Sequence, residues 1–236
     1  MTSDNYVGHE LEIFSHAVKW KEYWSSEIRP YILGDVLEVG AGLGVNTPFL
    51  KSAQISSWTC LEPDPELCAR MQANFMAQPQ LADCQQKNGT TETLGSGPRF
   101  NTILYIDVLE HIEGDHAELE RASNLLRIGG RIVVVAPAHQ WLYTAFDRAI
   151  GHHRRYTRLS LSDCSPQDCE MERLCYLDSL GILASSMNRV FLRRDMPKLS
   201  EIEFWDRFLV PASRILDSLT FHRIGKSLLG VWRKLG

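Results

Sequence analysis

The chain has 236 residues, 44% of them hydrophobic, a formal net charge of −4 and six cysteines. That length suits one domain with decorations and suffices for a full core. The acidic balance argues against bulk nucleic-acid binding, and no uncharged apolar run approaches the roughly 20 residues of a membrane span.

In chain order, Leu11, Phe14, Val18, Trp24 and Ile28 recur at helical spacing and predict an N-terminal helical cap over 1–34, ended near Pro30. From Asp35 strand and helix patterns alternate, which predicts parallel strands joined by crossover helices. Strand-type runs cover 36–39, 57–62, 81–85, 100–106 and 131–136. Asp64-Pro65 starts a helix expected to bury Leu67, Met71 and Phe75. Asp115 and Glu118 make a capping-box-like start for a second helix carrying Leu119, Ala122 and Leu126, with Gly129-Gly130 as its stop. Residues 137–158 read as a long aromatic and basic loop, a type that is usually functional or disordered. Strand-type runs at 169–176 and 227–232 bracket an insertion over 177–226, read as helices forming a lid. The expected organisation is one domain over 1–236: cap 1–34, core 35–176, lid 177–226 and last strand 227–236. With no Cys-x-x-Cys pair and no basic-then-apolar leader, the cytoplasm is the expected compartment.

The densest signal is Asp35-Val-Leu-Glu-Val-Gly-Ala-Gly-Leu-Gly44. A buried strand runs into three glycines spaced two apart, a density tolerated where the backbone must approach a ligand. A dinucleotide loop would carry its third glycine at position 45, where Val45 stands. Glu38 lies beneath the loop, and Glu62 ends the next strand, where a carboxylate can accept from both hydroxyls of a ribose. S-adenosyl-L-methionine (SAM) has a ribose and a zwitterionic tail but no pyrophosphate, so it needs no third dinucleotide glycine.

Glu38-Val-Gly-Ala-Gly-Leu-Gly44, Leu61-Glu62-Pro63-Asp64, Tyr105-Ile-Asp107-Val-Leu-Glu-His111 and Leu126-Arg-Ile-Gly-Gly-Arg-Ile-Val-Val134 resemble, in order, the motifs of class I SAM-dependent methyltransferases. The resemblance implies a Rossmann-like α/β fold with a seven-stranded, mostly parallel sheet flanked by helices, and SAM as cofactor with S-adenosyl-L-homocysteine as product. It implies that Gly40, Gly42 and Gly44 admit the methionine part, Glu38 holds its ammonium group, Asp107 and Val108 line that side, and Glu62 with Pro63 takes the ribose. It also implies that Asn88 and Gly89 flank the adenine, where a simple turn is the other reading.

A proton-bearing acceptor needs a base, and histidine suits neutral pH. His139, His152 and His111 are the candidates. The run Asp107-x-x-Glu110-His111 resembles that of quinone-biosynthesis O-methyltransferases. A divalent metal on it is one reading, a helix-capping histidine the other, and no metal is assigned. Tyr143, Phe146-Asp147 and Gly151-His-His-Arg-Arg-Tyr156 resemble a bacterial methyltransferase subgroup, with His153 as a departure. Tyr143, Arg155 and Tyr156 are the expected acceptor-binding residues, since adjacent arginines bind anions in two-pronged fashion. The other reading is structural, with Asp147 pairing Arg154 or Arg155.

Residues 189–236 hold ten Lys or Arg against five acids. They read either as a basic amphipathic lid touching an anionic membrane or a lipid-linked acceptor, or as an ordinary helical insertion. The expected activity is methyl transfer to a small-molecule acceptor, oxygen favoured over nitrogen, on an anionic, phenolic or lipid-like compound, with no nucleic-acid partner. The rivals are an NAD-dependent oxidoreductase and a non-catalytic SAM-binding module.

Overall fold

A computed structural model describes residues 13–187 and 198–236. Leu11 and residues 188–197 of the expected lid lie outside the described residues. Seven strands, β1 (Gly34–Val39), β2 (Ile55–Glu62), β3 (Gln85–Asn88), β4 (Phe100–Ile106), β5 (Leu126–Pro137), β6 (Cys169–Leu177) and β7 (Ser227–Lys234), form one sheet. Its order is 3-2-1-4-5-7-6, parallel except that β7 runs antiparallel to β5 and β6. This is the expected Rossmann-like arrangement.

The central strands are apolar on both faces because helices cover both. Neighbouring residues alternate between two cores, as the two-residue strand period requires. Val36, Leu104 and Val133 face one core with Trp58; Leu37, Ile103 and Val134 face the other. Helix α1 (Val18–Ile28) covers the first face with buried Trp20, Trp24 and Ile28. α2 (Thr47–Leu50) and α3 (Pro65–Met76) follow β1 and β2, and α3 buries Met71 and Phe75 while Leu67 is only half-buried. On the opposite face lies α4 (Asp115–Leu125), burying Leu119, Ala122 and Leu125.

Three local expectations are corrected. The third strand occupies Gln85–Asn88, not 81–85, because buried Leu81 ends a short 3-10 turn and the strand itself is a polar sheet edge. Asp115 does not cap α4; Gly114 precedes it without a side-chain cap, and Asp115 instead accepts from Tyr156. Gly129-Gly130 does not end α4, which stops at Leu125; both glycines lie inside β5 beside its register shift against β4. A side chain at Gly130 would press on the carbonyl oxygens of Arg127 and Asn101.

After β5 the chain forms α5 (Ala145–Ala149) and α6 (Arg158–Asp163), with Ala138 bridging to Tyr156. Between β6 and β7 stand α7 (Ser179–Met187), α8 (Leu199–Phe204) and α9 (Val210–Leu219), the last two joined through a π turn at Trp205–Leu209. Strand order reverses at β1 and β4, so a crevice opens at their carboxyl ends.

Candidate active site

At the end of β1 the backbone turns through Gly40, Gly42 and Gly44, all with positive φ. Gly40 and Gly42 line a cavity of about 790 Å³. A side chain at Gly40 would come within 2.7 Å of Val108, so Val108 buttresses the loop rather than lining the cavity. Gly44 departs from its expected role: it faces away, and a side chain there would strike the Phe75 ring. It lets α3 approach the loop.

The two acids hold that loop. Glu62 accepts from the Gly42 N–H at 2.8 Å through Oε2 and from the Asp64 N–H at 3.0 Å through Oε1, leaving lone pairs on both oxygens. Asn88 Nδ2 donates to the Glu62 and Pro63 carbonyls, each at 3.0 Å, and so laces β3 to β2. Glu62, Pro63, Asn88 and Gly89 gather at these strand ends, outside the cavity wall. Glu38 is buried under the loop, accepting through Oε2 from Thr47 Oγ1 at 2.7 Å and Trp58 Nε1 at 3.0 Å, while Oε1 has no partner. Burial pushes its carboxyl up to about 7, against those hydrogen bonds. It therefore sits beneath the cavity rather than in its wall.

Past β4, Asp107 adopts a left-handed backbone (φ 54) that turns the chain along the cavity floor. Asp107, Glu110 and His111 do not share one helical face, as their spacing suggested, because only a 3-10 turn at Leu109–His111 follows. All three nevertheless line the cavity. Asp107 is exposed to it, and desolvation by the surrounding protein raises its pKa against the nearby His152, Lys226, Lys21 and Arg155. Glu110 is fully buried with neither oxygen hydrogen-bonded, and burial with the Asp107 charge raises it well above the carboxylate range. Burial, then His152, lowers His111 to about 4.

Of the three candidate histidines, His152 lines the cavity and pairs with a carboxylate. Its Nδ1 lies 3.0 Å from Asp147 Oδ1, its Nε2 lies 3.7 Å from Glu110 Oε1, and its ring stands edge-on to His111 at 4.5 Å. A carboxylate only accepts, so Nδ1 carries the proton and the Nε2 lone pair is left toward Glu110. Asp147 also takes Arg155 Nε at 2.7 Å and Nη2 at 3.0 Å, plus the Thr144 N–H and hydroxyl in a capping box. Burial disfavours its charge, but the His152 and Arg155 hydrogen bonds outweigh that and hold its pKa below the usual range. Glu110, His111 and His152 bring ligand-type atoms within 4.8 Å of one another, a set able to hold a cation.

Other sequence expectations are corrected by position. His139 is outside the cavity, its Nε2 3.0 Å from the Gly225 carbonyl and its ring stacked on Tyr176 at 4.9 Å. Tyr156 is fully buried in the second core, donating to Asp115 Oδ2 at 2.8 Å. Tyr143 donates to the His152 carbonyl at 2.6 Å and pins the loop without reaching the cavity wall. Arg155 does line the cavity, with its fork spent on Asp147, whereas Arg154 pairs with Asp115.

Two cavity lysines escaped sequence reasoning. Lys21 is buried on α1, donating to the Phe14 carbonyl at 2.6 Å, and burial lowers it to about 8. Lys226 stands 3.6 Å over the Trp205 ring and 3.6 Å from Asp178, and burial lowers it too. Lys21 was the legible one, a charge among the apolar positions of an amphipathic helix. Lys226 precedes an apolar strand and gives no such signal. The roof is apolar, with Trp20, Trp24, Phe146, Leu180 and Trp205 among its residues.

Residues 37–132 match the family model described as "Methyltransferase domain". That stretch is similar to a methyltransferase domain. The cofactor this likeness supports is S-adenosyl-L-methionine. The site fits that group: two glycines clear the floor, and the Asp107 carboxylate stands beside them. Three solved structures illustrate the shared fold. A geranyl diphosphate methyltransferase in complex with SAM matches with a TM-score of 0.63 at 10% identity, covering 91% of this chain and 85% of that one. A SAM-dependent methyltransferase from Clostridium acetobutylicum ATCC 824 gives 0.57 at 11% identity with 92% of each chain covered. The cyclase SpnF gives 0.62 at 12% identity, covering 91% of this chain and 81% of that one. Likeness at such identities establishes fold; the chemistry must come from the site.

Proposed function

We propose that this methyltransferase domain transfers the methyl group of SAM to an oxygen of a small amphiphilic acceptor that carries an anionic group. One observation carries the reading: the glycine loop, Asp107 and His152, held by Asp147, border the same cavity, which is also lined by Lys21, Lys226 and an apolar roof. SAM supplies a methyl group already activated on a sulfonium, so the protein's work is to position the acceptor and accept its proton. Asp107 would hold the methionine ammonium, and Glu62 at the neighbouring strand end would take the ribose. His152 Nε2 would accept the acceptor's hydroxyl proton, with Asp147 stabilising the imidazolium as it forms. Lys21 and Lys226 would attract the anionic group, and Trp20 and Trp205, packed on each other, would form part of the wall for the apolar body.

The geranyl diphosphate methyltransferase pairs an anionic head with an apolar chain, which supports the amphiphile reading by analogy alone. SpnF warns that this fold also hosts a cyclase, so the test must read transfer rather than binding. Calorimetry should show SAM and S-adenosylhomocysteine binding but not NAD. Incubation with methyl-labelled SAM and panels of hydroxylated acids should then label the acids with longer apolar chains. Label reaching only amines, or no label with any acceptor although SAM binds, would overturn the proposal.

A further inference from the structure

The helical run from Leu199 to Leu219 has two faces of opposite character. Inward, its two buried acids are consumed by the protein: Asp206 accepts from the Lys19 and Trp20 N–H groups, and Asp217 from the Tyr23 hydroxyl and the Asp178 and Ser179 N–H groups. Outward stand Phe204, Phe208, Ile215 and Leu219, each more than half exposed. The π turn at Trp205–Leu209 stretches the spacing so that Phe204 and Phe208 align, with ring centroids 5.3 Å apart. The stripe continues past the helix into exposed Phe221 and Ile224. Exposed Lys198, Arg207, Arg214 and Arg223 border it, against exposed Glu203 and half-buried Glu201. A helical run with two of its four acids turned inward, and with aromatics and more cations than acids outside, has the charge and polarity of a surface that lies on an anionic bilayer. The stripe is also continuous with the site: Phe204 and Leu183 are both largely exposed and both line the cavity.

We propose that the outer face of Leu199–Leu219, extended by Phe221 and Ile224, docks on anionic phospholipid, with Phe204 at the seam between bilayer and cavity. No helix among the described residues is long and apolar enough to cross a membrane, so the contact is peripheral. The docking does not depend on the methyl-transfer reading, because it can be measured with no acceptor present.

The test is co-sedimentation of the full chain with vesicles of pure phosphatidylcholine or of phosphatidylcholine with phosphatidylglycerol. The chain should partition onto the anionic vesicles and not the neutral ones, and added salt should weaken it. Ile215→Ser with Leu219→Ser should lower partition about tenfold, and Arg207→Glu with Arg223→Glu should do likewise. SAM affinity of these variants should stay at the wild-type value, which separates lost docking from lost folding. No partition on anionic vesicles would overturn the proposal, as would partition unchanged in both double variants. A concentration-dependent dimer abolished by the same serines, without vesicle binding, would instead make this face a self-interface.

Discussion

His152 shows how a residue's role follows from what its second nitrogen touches. With Nδ1 committed to Asp147, only Nε2 can take a proton from an acceptor. Replacing His152 by Gln should lower turnover about 10²–10⁴-fold while SAM affinity stays within about twofold. Calorimetry and labelled transfer read the two separately, and an equal loss in both would make His152 structural. Glu62→Gln should act in the opposite way, weakening SAM binding by roughly tenfold or more, since a charged acceptor for the ribose and the Gly42 N–H is lost. Glu38 and His111 predict how stability moves with pH. Glu38, raised to about 7, holds its proton more tightly folded than unfolded, so its contribution is full below about 4.5 and fades as pH rises through 7. His111, lowered to about 4, stays neutral when folded, so its contribution is full above about 6.5 and fades as pH falls toward 4. In Glu38→Gln the midpoint difference from wild type, measured without cofactor, should swing in the variant's favour between pH 5 and 8 by about 2–3 kcal/mol. A gap constant with pH would mean that Glu38 ionises freely. The places of Gly40, Gly42 and Asp107 on the cavity were legible because strand ends and glycine spacing point at a crevice. Tyr156 and His139 were not: a buried tyrosine on an acid and a histidine on a carbonyl look, in sequence, like the same aromatic and basic letters as a binding loop.

At the scale of elements, the glycine loop and the roof are set by contacts between segments far apart in sequence. Gly44→Ala should destabilise the fold by about 1–3 kcal/mol, because its φ of 71 disfavours a side chain and the Phe75 ring occupies the space. Denaturant midpoints test this, and a neutral result would show that α3 can retreat. Asp206 caps α1 from 186 residues away. Asp206→Ala should cost about 1 kcal/mol and raise amide exchange in residues 18–28 while α4 stays protected. Uniform exchange changes would count against that coupling. No sequence rule finds such a cap, since N-caps are sought next to the helix they serve. The same limit explains β3: the apolar signal at Leu81 belongs to a turn that packs inward, while the strand is a polar edge with no alternation to read.

Across the whole molecule, the sheet was the most legible feature, because Val, Ile and Leu runs at β1, β4 and β5 leave few alternatives to a doubly covered parallel core. The antiparallel β7 and the roof came from an insertion whose packing depends on distant acids, so only their existence was readable. If SAM binds the assembled site alone, S-adenosylhomocysteine at about 100 times its Kd should stabilise the chain by about 2.7 kcal/mol, and NAD should shift nothing. Scanning calorimetry checks both, and equal shifts would restore the dinucleotide reading.

Asp206 and Asp217 have a consequence for traffic. One rivets α9's approach to the start of α1, the other joins α9 to Tyr23 and to the first turn of α7. Three segments far apart in the chain are thus fastened to one another more tightly than a set of independent flaps would be. The described parts of the roof are one hatch, and none of these segments can lift without unseating a buried carboxylate.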